Sequence, residues 1–181
     1  MNTELSWKKG VFNNTYRIYA DDTQIGFVKN SFFSRKTTAE INGKAYLFQE
    51  RGFFRQRTDI VDVAENRKIG EIKYGSWKSR ASIKMNNEVS NWTYTNIWYT
   101  KWKLQDAKGV TILYKGSSFS ENGFIEVVDG DAIQLLSGLY IAQIYSRITV
   151  VVFYSVALLA GSSLLPRAYL AIKGLLWNFF F

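Results

Sequence analysis

An internal repeat is the feature that most restricts how this chain can fold. The segments DDTQIGFVKNSFFSRKTTAEING and ENRKIGEIKYGSWKSRASIKMNN share an Ile-Gly pair, a lysine and a Ser-Arg pair at an offset of 44 residues, or 45 after a one-residue insertion. A third, shorter copy follows at a spacing near 42, in which Asp106 repeats Asp62 and residues 109–115 repeat the turn and the return strand. A period in this range predicts a structure built from repeated units.

The local pattern inside each copy is that of short strands joined by turns. Residues 15–19 alternate in polarity, residues 21–24 favour a turn, and residues 25–29 alternate again. Further alternating runs bring the total to roughly ten to twelve strands, as in an all-β barrel or sandwich. Residues 1–130 contain no proline, which suits continuous pairing better than exposed edges. The pattern therefore predicts a mainly β protein, a closed antiparallel β-barrel.

The last third of the chain is apolar and predicts a helix. Asp131 is a candidate N-cap, and between Ala132 and Pro166 the only charged residue is Arg147. A helix that is apolar on all sides must be surrounded, and residues 131–147 have about the length of a small barrel's interior. Residues 148–166 are uncharged over 19 positions, just long enough to be a candidate membrane span.

These observations predict two parts of the chain. Residues 1–147 form the barrel, with a central helix over 131–147. Residues 148–181 form an apolar, helical extension that packs on the barrel or associates with a membrane; the sequence leaves both alternatives open.

The repeat resembles a known superfamily. Its motif joins an alternating strand, an acidic turn and a strand that begins with an Ile-Gly pair, over residues 16–29 and 60–73. Residues 104–115 repeat the motif without the Ile-Gly pair, and the apolar helix follows. This arrangement resembles the tubby C-terminal-like superfamily, in its LURP-one-related and phospholipid scramblase branches, over residues 5–147. The resemblance implies a twelve-stranded β-barrel around a central hydrophobic helix, and a tendency towards membrane lipid. The chain lacks the palmitoylation cluster, the calcium loop and the phosphoinositide-binding bases of individual branches.

The composition argues against an enzyme. The chain has no histidine and no cysteine, which removes the commonest general bases, zinc ligands and nucleophiles. The carboxylates are scattered and no phosphate-binding or dinucleotide motif occurs, so we expect no catalytic residue, no metal and no cofactor. Without cysteines or an N-terminal apolar signal, we expect a cytoplasmic protein, peripheral at the inner face of the membrane.

Basic and aromatic residues from two repeats form the candidate site. The chain carries 23 Lys and Arg against 15 Asp and Glu, a formal net charge of +8. We predict that equivalent positions bring a lipid-binding set to one rim: Arg35, Lys36, Lys73, Trp77, Lys78 and Arg80. Related residues are Arg51, Arg55, Arg57, Phe32, Phe33, Phe53, Phe54 and Trp98. Alternation along a strand can also produce this mixture, with aromatics in the core and bases in solvent.

The C-terminal tail is a second candidate for membrane contact. It is a weakly amphipathic segment with these aromatic residues: Trp177, Phe179, Phe180 and Phe181. Packing on the barrel or interfacial anchoring would bury them. The expected partner is anionic phospholipid. The alternatives are a ligand- or single-stranded nucleic-acid-binding barrel, with nucleic acid the weaker partner, and an integral protein anchored by residues 148–166. Protein partners are not indicated.

Overall fold

The computed structural model describes residues 3–10, 15–30, 34–52, 57–75, 80–116 and 122–159, with side chains as far as Arg147. The strands are β1 (Thr3–Lys9), β2 (Thr15–Ala20), β3 (Thr23–Asn30), β4 (Lys36–Ile41), β5 (Lys44–Arg51), β6 (Arg57–Asp62), β7 (Arg67–Tyr74), β8 (Arg80–Met85), β9 (Glu88–Tyr94), β10 (Lys101–Asp106), β11 (Gly109–Gly116) and β12 (Asn122–Val127). The helix is α1 (Ala132–Leu159).

The strands form a closed barrel in which each strand pairs with its neighbours in the sequence and β1 pairs with β12. All pairs are antiparallel, so consecutive connections alternate between the two ends of the barrel. The connections after β1, β3, β5, β7, β9 and β11 lie at one end, and the others lie at the opposite end. The predicted closed antiparallel barrel is confirmed.

The barrel is built from three four-stranded units, which explains the sequence repeat. The same β-bulge interrupts the second and third strands of each unit, next to Ile18, Ile60 and Leu104. In the second and third units an aspartate holds the following turn: Asp62 Oδ1 accepts the Ala64 N–H at 2.9 Å, and Asp106 Oδ1 accepts the Lys108 N–H at 2.7 Å. These aspartates are equivalent, as the sequence comparison predicted.

The offset between the first two units differs in one detail from the sequence alignment. Strands β3 and β4 correspond to β7 and β8 at a constant offset of 44 residues, because Gly26 pairs with Ile41 and Gly70 pairs with Met85. No insertion occurs between β7 and β8 relative to β3 and β4, so Arg80 corresponds to Lys36 rather than to Arg35.

The first part of helix α1, as far as residue 141, lies inside the barrel and begins at the end where β12 finishes. Asp131 caps it, since Asp131 Oδ1 accepts the Gln134 N–H at 2.7 Å while Gln134 Oε1 accepts the Asp131 N–H at 3.2 Å. Trp92 Nε1 of β9 donates to the Gly138 carbonyl at 3.1 Å, and the ring of Phe48 of β5 stacks on Tyr140 at 4.3 Å. Contacts from strands around the barrel confirm the predicted central helix.

The helix is continuous across Arg147 and extends to Leu159. The chain divides into two compact units, Met1–Ile141 and Ala142–Phe181. Residues 160–181 lie outside the described residues. Among those that are described, no helix is both long and apolar enough to cross a membrane.

Candidate functional site: the basic end of the barrel

The two ends of the barrel carry opposite charge. This holds for the described charged residues in the first or last two positions of each strand and in the adjoining connections. At the end after the odd-numbered strands, eleven are basic and one, the buried Glu50, is acidic. The bases are Lys8, Lys9, Lys29, Arg35, Lys36, Arg51, Arg57, Lys73, Arg80, Lys101 and Lys115. We refer to this end as the basic end.

The opposite end has the reverse composition, and we refer to it as the acidic end. Its eleven acids are Glu4, Asp21, Asp22, Glu40, Asp62, Glu65, Glu88, Asp106, Glu126, Asp129 and Asp131. Its five bases are Lys44, Arg67, Lys68, Lys84 and Lys108. The charges of the described residues are therefore segregated along the barrel axis, with an excess of positive charge at one end.

Four of the predicted lipid-binding residues lie at the basic end. Arg35 and Lys36 are at the start of β4, Lys73 is near the end of β7, and Arg80 begins β8; all four are exposed. The two pairs are separated by β5 and β6, about three to four strand spacings, or roughly 14–19 Å along the sheet. Trp77 and Lys78 lie outside the described residues, as do the four aromatic residues of the tail.

Arg51 and Arg57 lie between these two pairs and form, together with Lys73, a cationic row. Arg51 on β5 pairs with Arg57 on β6, and Arg57 pairs with Lys73 on β7. Cross-strand partners project from the same face with Cβ atoms about 4.5–5.5 Å apart. Three neighbouring strands therefore present three adjacent cations on the outer surface.

Acidic side chains hold part of the row in place from the middle of the same strands. Asp59 accepts from Arg51 Nε at 3.0 Å and lies 2.5 Å from Lys68 Nζ, which also contacts Glu71 at 3.0 Å. Burial alone would raise the pKa of Asp59, but hydrogen bonds from Lys68 and Arg51 outweigh it and lower that pKa below its usual value. The same contacts raise the pKa of Lys68. Both groups are thus charged at neutral pH.

An exposed aromatic turn, residues Ile97, Trp98 and Tyr99, also lies at the basic end. It belongs to the β9–β10 connection, and the three side chains are 48%, 58% and 53% exposed. Of the aromatic residues predicted to mix with the bases, Trp98 is the one that the structure describes. Trp92 and Trp102, by contrast, point into the core, as alternation along a strand predicts.

The barrel interior near the basic end contains buried polar groups. Thr58 Oγ1 lies 2.9 Å from Tyr74 Oη and 3.1 Å from Tyr140 Oη. Burial raises the pKa of Tyr74 well above its usual value, with further contributions from Tyr140 and Glu50, so that its hydroxyl stays protonated. These hydroxyls join α1 to the wall. Among the described residues, no three His, Cys, Asp or Glu side chains are placed to hold a metal ion.

Sequence reasoning missed several members of the site. The third unit contributes Lys101, Lys115 and the exposed aromatic turn. The strand pair that closes the barrel contributes Lys8 on β1 and Phe124 on β12, which is 56% exposed. One available signal was the alternation of connections: once strands pair in sequence order, every second connection must lie at the same end.

Comparisons of the chain with models of protein families, with curated proteins and with solved structures each find no match. The resemblance to the tubby-like superfamily stays a prediction from the sequence.

Proposed function

We propose that this chain is a non-enzymatic, tubby-like domain that binds anionic membrane phospholipid peripherally through its basic end. The observation that carries the proposal is the segregation of charge, with eleven bases and one buried acid among the described residues of that end. Each Lys or Arg near an anionic membrane contributes about 1 kcal/mol, and the attraction extends only about a Debye length, roughly 8–10 Å. Only an end-on approach places most of these bases within that distance.

The proposed surface suits the inner face of a membrane. Anionic lipids give the cytoplasmic leaflet a negative surface potential that attracts clusters of bases. The acidic end would be repelled by the same potential. Charge segregation therefore orients the barrel as well as attracting it, with the N-terminus of α1 pointing away from the lipid.

The test compares two triple variants that change the net charge equally. The first, Arg57→Gln, Lys73→Gln and Lys115→Gln, neutralises exposed bases at the basic end. The second, Lys44→Gln, Lys84→Gln and Lys108→Gln, does so at the acidic end. In co-sedimentation with phosphatidylserine-containing vesicles at low salt, we expect the first to lose about 100-fold in affinity, and the second less than about threefold.

Salt provides the second measurement. Binding of the unaltered chain should weaken as salt is raised from about 50 to 300 mM, because screening shortens the range of the attraction. Equal losses in both triple variants would contradict the proposed surface. Failure of the folded, unaltered chain to sediment with anionic vesicles at low salt would reject the function.

A second candidate function is binding of single-stranded nucleic acid. The observation in its favour is that Trp98 and Tyr99 are exposed beside Lys101, since stacked aromatic rings and cations form such binding platforms. Fluorescence titration with single-stranded oligonucleotides at several salt concentrations tests it. Saturable quenching by oligonucleotides, together with no binding to vesicles, would favour this candidate over the membrane.

A third alternative is an integral protein anchored by residues 148–166. Helix α1 covers this range only as far as Leu159 among the described residues. Extraction of the membrane fraction with alkaline carbonate distinguishes the alternatives, because a peripheral protein is released whereas an integral protein stays with the lipid. Release of the whole protein would exclude this alternative.

A further inference from the structure

The exposed aromatic turn is held rigidly by the residues that flank it. Asn96 Oδ1 accepts the N–H groups of Thr100 and Lys101 at 3.0 and 2.9 Å, and Asn96 Nδ2 donates to Thr100 Oγ1 at 2.7 Å. The Tyr99 N–H donates to the Asn96 carbonyl at 3.2 Å, and the Gly116 N–H donates to the Thr100 carbonyl at 2.8 Å. The backbone of the turn is thus tied both to itself and to the neighbouring strand β11.

Tyr99 has an unusual backbone conformation that this framework maintains. Its φ is 55°, in the left-handed region that residues with a bulky side chain rarely adopt. Its ring packs edge-on against Tyr94 at 4.7 Å, and Tyr94 in turn packs against Trp92 and Trp102 in the core. A strained conformation that its surroundings maintain is often part of a functional site. Here it accompanies three consecutive exposed apolar side chains.

The surroundings of the turn indicate what it contacts. Lys101 directly follows Thr100 and pairs across the strands with Lys115, which pairs with the exposed Phe124. Apolar and aromatic side chains flanked by lysines match the chemistry of the membrane interface. There, Trp and Tyr favour the headgroup level while Lys binds anionic lipid.

We propose that the exposed aromatic turn inserts into the headgroup region of an anionic phospholipid bilayer. This inference rests on the proposed function, because attraction of the basic end brings the turn to the lipid surface. Insertion adds a contribution that salt does not screen, since burying Ile97 and Trp98 is driven by the hydrophobic effect. The Lys and Arg side chains of the basic end attract the barrel to the membrane from a distance, and the exposed aromatic turn makes the direct contact with the lipid.

The geometry favours a bilayer over a strand of nucleic acid. A stacking platform needs aromatic rings for successive bases, and of the three side chains in the turn only those of Trp98 and Tyr99 carry a ring. The apolar side chain of Ile97 makes no specific contact with a nucleobase or a phosphate group, but it contributes directly to insertion into lipid.

The test uses a double variant, Ile97→Ser with Trp98→Ser, and a matched control, Val63→Ser with Val89→Ser. The control removes two apolar side chains of similar exposure, 50% and 47%, from the acidic end. On phosphatidylserine-containing vesicles we expect the first to lose about tenfold or more in affinity, at both low and high salt, and the control less than about twofold. Circular dichroism checks that both variants fold.

A second measurement reports insertion directly. Vesicles with acyl chains brominated near the headgroup should quench the fluorescence of the unaltered chain, and Trp98→Phe should remove much of that quenching while binding stays within about threefold. Equal quenching in Trp98→Phe would overturn the inference, as would unchanged affinity of the double variant when the unaltered chain binds. Quenching of Trp98 by oligonucleotides but not by brominated lipid would overturn it in favour of nucleic acid. Failure of the unaltered chain to bind vesicles would instead reject the proposed function.

Discussion

Arg51 and Arg57 lie directly opposite each other on β5 and β6, so that two positive side chains share one face of a cross-strand pair. Like charges in such positions destabilise a sheet, in contrast to the aromatic or opposite-charge pairs that stabilise it. Arg57 meets a second cation, Lys73, on its other side. The barrel therefore maintains an unfavourable row of charges at the surface that we propose for membrane binding.

Replacement of Arg57 by threonine should separate stability from binding. We expect the free energy of unfolding to rise by about 0.2–1 kcal/mol at low salt, because repulsion is removed and threonine is a good strand former. Affinity for phosphatidylserine-containing vesicles should fall about fivefold, in line with about 1 kcal/mol per base. Urea denaturation and co-sedimentation measure the two effects.

Lys84→Thr is the matched control, because Lys84 pairs with the acidic Glu71 rather than with a cation. Its loss should leave stability unchanged or slightly lower it, and vesicle binding should hardly change. A stabilising effect of the same size in both variants would show that strand propensity, and not cationic repulsion, accounts for the result.

The sequence allowed the fold to be predicted because three equivalent units repeat the same alternation and the same turns. Asp62 and Asp106 mark equivalent turns, and the uniformly apolar helix had to be enclosed. The bulges next to Ile18, Ile60 and Leu104 were not predicted, since a bulge shifts pairing without leaving a strong local pattern.

The site was only partly predictable, because charge segregation depends on strand order. The sequence comparison found Arg80 through the Ser-Arg pair that it shares with Arg35, and Lys36 because it adjoins Arg35; the strand pairing then makes Lys36 and Arg80 equivalent. Lys101 and Lys115 were missed because the third repeat is shorter and its register across β10 and β11 is not visible from spacing alone. The left-handed backbone conformation of Tyr99 was not predictable either, because a residue with a bulky side chain rarely adopts it.

Gly138→Ala should strongly destabilise the barrel. A methyl group on Gly138 would overlap the hydroxyl end of the Tyr114 ring, which donates to the Leu135 carbonyl at 3.0 Å. We expect a loss of about 1–3 kcal/mol, even though alanine has the better helix propensity. The neighbouring Ser137→Ala is the control, because the buried hydroxyl of Ser137 has no hydrogen-bond partner among the described residues. It should be neutral or stabilise by up to about 1 kcal/mol. Thermal unfolding followed by circular dichroism measures both.

Asp59 and Glu71 should make stability depend on pH in the acid range. The pKa of Asp59 is lowered chiefly by hydrogen bonds from Lys68 and Arg51, which outweigh the effect of burial, and the pKa of Glu71 is lowered first by its bond to Lys68. A carboxyl whose pKa is lowered in the folded state stabilises that state fully at a pH above its unfolded pKa. The stabilisation is lost as the pH falls through the folded pKa. The pKa of Lys68 is raised, so the contribution of Lys68 to folding stability is complete below the usual lysine pKa, 10.5, and is lost only at higher pH.

We therefore expect Asp59→Asn to destabilise the protein at pH 7 by at most about 1 kcal/mol, since its partners are half-exposed, and to have little effect near pH 2. Urea denaturation across pH 2–7 measures the difference. Glu65→Gln should be nearly neutral throughout, because the Glu65–Arg67 pair is more exposed on both sides. A constant difference between Asp59→Asn and the unaltered chain down to pH 2 would contradict the assignment.

Gly26→Ala and Gly70→Ala should differ in cost although the two glycines are equivalent in the repeat. A Cβ on Gly26 would lie 2.5 Å from the Glu40 carbonyl oxygen, so that the backbone of β4 would have to move. The nearest atom to a Cβ on Gly70 is Met85 Cγ at 2.7 Å, in a flexible side chain that can take another rotamer. We expect Gly26→Ala to cost about 2–3 kcal/mol and Gly70→Ala about 1 kcal/mol less, as measured by urea denaturation. An equal loss in the free energy of unfolding for both variants would contradict this explanation. It would mean that the backbone of β4 and the side chain of Met85 accommodate the added methyl group equally well.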